Sequence, residues 1–122
     1  MIIPKNIKQI QHRSRDLRVR RVDKNTYVVE STTTPSANHV VTITFADDGH
    51  KIQARCTCAW AAYNGIACSH VLAALEYMAS LKARTLSFWN DEQIARRQKH
   101  RLFRLIGDEK EREGIWITSR GA

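Results

Sequence analysis

Long apolar runs are missing from this chain. None approaches the roughly 20 residues that a membrane-spanning helix needs. The opening "MIIPK" is interrupted by Pro4 and Lys5, so it reads neither as a signal-peptide core nor as a membrane anchor. Internal repeats and low-complexity tracts are lacking too, which excludes a repeat array. Cysteine is scarce and odd in number. Three thiols leave one over after any disulfide, and nothing marks the oxidising compartment in which disulfides persist. No constellation of carboxylates or of an activated nucleophile stands out, which speaks against an enzyme and against a small-molecule substrate. What these absences leave is a soluble intracellular protein, not secreted, cytoplasmic or, in a eukaryotic host, nuclear.

A chain of 122 residues has room for one modest domain with a real core and is short for two. Its formal net charge of +8 is unevenly spread. Residues 1–24 carry +6, residues 25–83 carry −1 and residues 84–122 carry +3. The cysteine-bearing centre is thus near neutral and the excess sits in two flanks. That asymmetry favours a polyanionic partner, although basic flanks are also often no more than solvated surface.

Periodicity sketches the elements. Pro4 can open a short basic helix over residues 4–16, with Ile7 and Ile10 at helical spacing. "LRVRRV" alternates apolar and basic residues and fits helix or strand. "TYVVEST" at 26–32 and "HVVTITF" at 39–45 are dense in β-branched and aromatic residues and predict two strands. "ADDG" predicts a tight turn with Gly49 at positive φ, and "HKIQARC" a third strand that ends on Cys56. From Ser69, a good N-cap, "HVLAALEYMASLKAR" predicts a helix with Val71, Leu72, Leu75, Tyr77 and Met78 on a broad apolar face. A second helix is predicted over "NDEQIARRQKHRLFRLI", capped by Asn90 or Asp91, and a late strand in "GIWITSR".

The segment "CTCAWAAYNGIACSH", residues 56–70, holds all three cysteines and one of the five histidines. Cys56 and Cys58 lie two apart at a strand end, so both sulfurs can point to one side. Cys68 and His70 repeat that spacing where a loop turns into a helix. The intervening stretch, with Asn64 and Gly65 able to turn, can bring the halves face to face. Three thiolates and one imidazole make a closed tetrahedral shell for Zn²⁺, and a full shell leaves no position for the water of a catalytic site. One structural zinc ion is therefore expected on Cys56, Cys58, Cys68 and His70. The alternative use of Cys68 and His70 as a nucleophile pair is set aside, because residues i and i+2 do not face each other on a helix.

The pattern CxC, a spacer, then CxH resembles the SWIM zinc finger, a motif associated with Swi/Snf-type ATPases, Mutator transposases and recombination accessory proteins. Ala73 matches the extended form CxHxxA. Gly65 stands where many members have glycine before the third cysteine, and Ala67 replaces their proline. The resemblance covers residues 26–83 and implies strands ahead of the first cysteine and a helix after the histidine.

The flanks supply the cations. Arg13, Arg15, Arg18, Arg20 and Arg21 form one cluster, and Arg96, Arg97, Lys99, Arg101 and Arg104 a second, in which Arg97, Arg101 and Arg104 fall on neighbouring rows of a helix. Arginine holds phosphate through paired hydrogen bonds, so clusters on one face would make a footprint for nucleic acid. Trp60, in the zinc loop, is a candidate base contact, while Trp89 and Trp116 are read as core. His12, His39 and His100 have no pattern around them and are read as surface residues, and His50 as an exposed turn residue. The expected fold is α+β: a small zinc-stabilised ββα-like domain, an antiparallel meander of about three strands and then a helix. Residues 26–83 would be the core, with basic, partly helical extensions at 1–25 and 84–122. The expected function is non-catalytic binding of nucleic acid, DNA before RNA. The alternative is an adaptor for a larger DNA-processing ATPase, transposase or recombinase.

Overall fold

The computed structural model describes residues 7–31, 38–46, 49–57, 68–106 and 115–121. Helix α1 (Ile7–Ser14) precedes four strands, β1 (Leu17–Asp23), β2 (Thr26–Ser31), β3 (Asn38–Ala46) and β4 (Lys51–Cys56). Then come α2 (Ser69–Ser80), β5 (Arg84–Trp89), α3 (Glu92–Arg97), β6 (Arg101–Ile106) and β7 (Ile115–Gly121).

Alternation shapes the strands. Along β3, Val41 and Ile43 are buried while Val40, Thr42 and Thr44 are exposed, and along β4 Ile52 and Ala54 are buried while Arg55 is exposed. That period of two gives the sheet an apolar inner face and a polar outer one. The strands β1 to β4 run as an antiparallel meander. Gly49, at φ +90°, sits between β3 and β4 in a conformation that glycine adopts without strain.

The sheet does not stop at β4. Among the described residues it has seven strands in the order β1-β2-β3-β4-β6-β7-β5, and a parallel pair joins β4 to β6 through Lys51↔Arg104, Ile52↔Leu105 and Gln53↔Ile106. This overturns the expected small ββα-like module with a meander of about three strands. A meander ending at β4 would expose a row of unpaired backbone groups along that strand. Strand β6 covers it, and β7 and β5 continue the sheet by antiparallel pairing.

The long second helix expected over 90–106 is corrected as well. Asp91 does cap it, its carboxylate accepting from the Gln93 and Ile94 amides at 2.8 and 3.3 Å, but the helix ends at Arg97. Lys99 takes φ 56°, a left-handed conformation that stops helix propagation. The next residues alternate: Leu105 turns to the core, while Arg104 faces the other way. Arg97, Arg101 and Arg104 therefore do not share a helical face.

Helix α2 closes the core. Five consecutive residues from Val71 to Leu75 are buried, more than one helical stripe can explain. The sheet covers one side of this helix and α1 another. Each fully buried Val or Leu there contributes roughly 1.5–3 kcal/mol. Helix α1 is locked on by polar contacts: Gln11 Nε2 donates to Glu76 Oε1 at 3.0 Å and to the Leu86 carbonyl at 2.9 Å, and Ser14 Oγ donates to Glu76 Oε2 at 3.0 Å. Helix α3 packs on β5 and β7 from the outer face. No helix among the described residues is long and apolar enough to cross a membrane.

Candidate metal centre

Strand β4 ends on Cys56, which has the same parity as the buried Ile52 and Ala54 and so turns toward the helix layer. Thr57 holds the chain against β3 one residue further on. Its amide donates to the Val40 carbonyl at 3.2 Å, and its Oγ1 accepts from the Val40 amide at 3.0 Å. Opposite, Cys68 is the N-cap of α2. Its backbone is extended at φ −91° and ψ 159°, and its sulfur accepts from the Val71 amide at 3.4 Å. Ser69, expected as the cap, is instead the first helical residue. His70 follows in the first turn.

The sulfurs of Cys56 and Cys68 and a ring nitrogen of His70 all lie within 4.8 Å of one another. Tetrahedral zinc, with sulfur at ~2.3 Å and nitrogen at ~2.0–2.1 Å, holds its ligand atoms about 3.5–3.8 Å apart, so the cluster has the right scale. The donor set also has the right chemistry, since thiolate and imidazole suit Zn²⁺. Cys68 is only 2% exposed. At the N-terminus of α2 a thiolate is favoured by the helix dipole and by the amide that it accepts, and a cation beside it adds to that preference. Cys58 and Trp60 lie outside the described residues.

His39 was missed in the sequence. Its ring centroid lies 4.2 Å from that of His70, with the planes tilted by 49°. The signal was available, because His39, Val41 and Ile43 alternate along one strand and the latter two are plainly core residues.

The basic residues are spread over the molecule. Arg13 is on α1, and Arg15 just after it lies 4.0 Å from Glu76. Arg18 and Arg20 point outward from β1, whereas Arg21 donates to the Asp23 and Lys24 carbonyls at 3.1 and 2.9 Å and braces the β1–β2 turn. Arg96 and Arg97 are on α3, Lys99 follows it, and β6 sends Arg101 and Arg104 to opposite faces. By strand register the outer face gathers Arg18, Arg20, Lys51, Arg55, Arg104 and Arg120, against Glu30 and, past the irregularity after Arg21, Asp23 among the described strand residues. Lys51 and Arg55 were not singled out for this role in the sequence. Trp89 and Trp116, read there as core, are half-buried register partners on this same face. Lys8 Nζ lies 3.6 Å from the Trp89 ring centroid, where burial and then the Arg15 charge hold its pKa below the usual lysine value.

The family model described as SWIM zinc finger matches residues 39–79. This segment is similar to the SWIM zinc finger. It runs from His39 in β3 through β4 to Ala79, one residue before the end of α2, and contains the Cys56, Cys68 and His70 cluster. No curated protein and no solved structure matches the chain. The SWIM finger is a zinc-binding module rather than a catalytic domain. The strands β1, β2, β5, β6 and β7 lie outside the matched segment and extend its sheet on both sides.

Proposed function

We propose that the protein is a non-catalytic nucleic-acid-binding module, DNA before RNA, in which a single structural Zn²⁺ on Cys56, Cys58, Cys68 and His70 ties β4 to α2. The observation that carries this reading is the charge of the outer sheet face. Arg18, Arg20, Lys51, Arg55, Arg104 and Arg120 form a broad cationic surface in which Glu30 and Asp23 are the strand carboxylates among the described residues. Such a surface recognises a polyanion through its phosphates, with affinity that is mostly independent of sequence. The finger and the cations then have separate jobs: the metal holds the sheet-to-helix junction, and the outer face binds.

A salt titration tests this reading. Binding of labelled DNA should weaken steeply as salt rises, with log K linear in log salt. A flat response removes phosphate contact from the account. RNA of equal length, measured alongside, decides between the two polymers.

The adaptor reading has one observation in its favour. Phe45 and Leu81 are large apolar side chains left 49% and 61% exposed. Phe45 lines a cavity of about 500 Å³ with Met78, Phe103 and Leu102 on the helix side of the sheet. Stoichiometric capture of one protein after nuclease treatment, lost in Phe45→Ser while DNA binding persists, would establish that role.

A further inference from the structure

The register of four neighbouring strands sets Lys51, Arg104, Trp116 and Trp89 in one line across the outer face. Lys51 on β4 pairs with Arg104 on β6, Arg104 with Trp116 on β7, and Trp116 with Trp89 on β5. Helix α3 adds Arg96 above this line, its guanidinium carbon 5.8 Å from the centroid of the Trp116 ring. His50, Lys51, Arg96, Leu102, Arg104 and Trp116 together line an open cavity of about 450 Å³. Among the described residues, no carboxylate lines it.

We infer that this cavity is a nucleotide pocket for single-stranded nucleic acid: one unpaired base lies on Trp116, and the phosphates on either side of it meet Lys51, Arg104 and Arg96. The inference rests on the nucleic-acid reading above and narrows it to strand type. A base inside a duplex has both faces stacked and cannot offer one to an indole, whereas an unpaired base can. A duplex could reach these cations with its phosphates alone. Neighbouring strands lie about 4.8 Å apart, so Trp116 is one strand spacing from Arg104 and two, about 10 Å, from Lys51. A single nucleotide spans that distance from the face of its base to its phosphate. Arg96 also forms an exposed i,i+4 pair with Glu92 at 3.0 Å, an interaction weak enough for a phosphate to replace.

The geometry also separates this site from the zinc finger. Of the six lining residues only His50 and Lys51 fall within residues 39–79, and none belongs to the Cys56, Cys68 and His70 cluster. The aromatic and two of the three cations come from the strands and helix that follow the finger. The C-terminal third of the chain would thus carry the base-reading part of the surface, and the finger its support.

The test uses the full zinc-loaded chain and anisotropy with three labelled probes: an oligothymidylate strand, the same strand with abasic positions, and a blunt duplex of equal phosphate count. The native protein should bind the strand more tightly than the duplex and lose about tenfold on the abasic strand, which keeps the phosphates and lacks the base faces. Trp116→Ala should lose about tenfold on the strand and change little on the duplex. Arg96→Gln, an exposed change that leaves the core untouched, should weaken strand binding even if Trp116→Ala does not fold. Equal affinity of Trp116→Ala or of Arg96→Gln and the native chain for the strand would overturn the pocket while leaving the nucleic-acid reading in place. Equal native affinity for the strand and its abasic form would do the same. Failure of the native protein to bind any of the three probes would remove both.

Discussion

The imidazole of His39 lies against that of His70, ring centroids 4.2 Å apart, although the two residues belong to different layers of the fold. His39 is fixed by the register of β3 with β2, where it pairs with Val29. His70 is on the first turn of a helix and needs its ring turned toward the two sulfurs. A neighbour that limits the rotation of a ligating imidazole acts as the groups around a metal site commonly do, by orienting the ligand. His39→Ala should therefore weaken zinc binding by about tenfold while the sheet stays folded. Competition against a chromophoric chelator measures this, and an unchanged dissociation constant would remove His39 from the account.

Cys68 does two jobs that one pair of variants separates. As a ligand it needs sulfur, but as the N-cap of α2 it needs only an acceptor for the Val71 amide. Serine is a good cap and a poor zinc ligand, so Cys68→Ser should lose zinc and keep the cap. Cys68→Ala should lose both. With zinc stripped from each protein, the alanine variant should be less stable than the serine variant by about 1 kcal/mol in urea unfolding. In zinc-replete buffer both should fall well below the native chain, because structural zinc in finger peptides is worth ~10–16 kcal/mol. Chelation of the native protein should have the same direction of effect.

The local features of the chain were legible and the distant ones were not. The cysteine cluster spans fifteen residues, and its spacing alone implies that Cys56, Cys68 and His70 meet. The meander was readable for the same reason: β2, β3 and β4 pair with sequence neighbours. Nothing local says that Ile52 pairs with Leu105, because a parallel pair needs a long crossover and leaves no turn signature. The residues 101–106 were misread because a true helix start at Asp91 and a dense run of basic residues masked the alternation of Arg104 and Leu105. The short "RTLSFW" of β5 was likewise passed over. Its buried Leu86 and Phe88 alternate with the more accessible Ser87 and Trp89, a pattern too brief to separate from the end of the preceding helix.

Glu76 is the polar hinge between α1 and α2. One carboxylate accepts from the buried Gln11 amide and from the buried Ser14 hydroxyl, both at 3.0 Å. Truncating it leaves two buried donors without that partner, and each such loss costs about 1–3 kcal/mol. Gln11 keeps its bond to the Leu86 carbonyl, and the single Ser14 hydroxyl hydrogen can turn to the Gln11 carbonyl 2.6 Å away, so the smaller end of the range applies. Glu76→Ala should cost about 2 kcal/mol in urea unfolding of the zinc-loaded protein. Amide exchange should rise first in α1, the element that this carboxylate ties to α2. A variant as stable as the native chain would show that α1 is held by Ile7, Ile10 and the Gln11 bond to the Leu86 carbonyl without help from Glu76.

Arg18, Arg20 and Arg21 look equivalent in the sequence, yet strand parity divides them. Arg18 and Arg20 are directed outward onto the cationic face, while Arg21 is tied to the Asp23 and Lys24 carbonyls at the turn. If the outer face meets phosphate, each outward arginine releases close to one counterion, and the pair Arg18→Ala with Arg20→Ala should lower the slope of log K against log salt by about 2. Thermal stability should hardly move, since both side chains are exposed and distant from the core. Arg21→Ala should do the reverse, leaving the salt slope near its native value and loosening the β1–β2 turn, which a small drop in melting temperature would report. An equal fall in slope for Arg21→Ala would mean that the turn opens on binding and that all three arginines reach the phosphates.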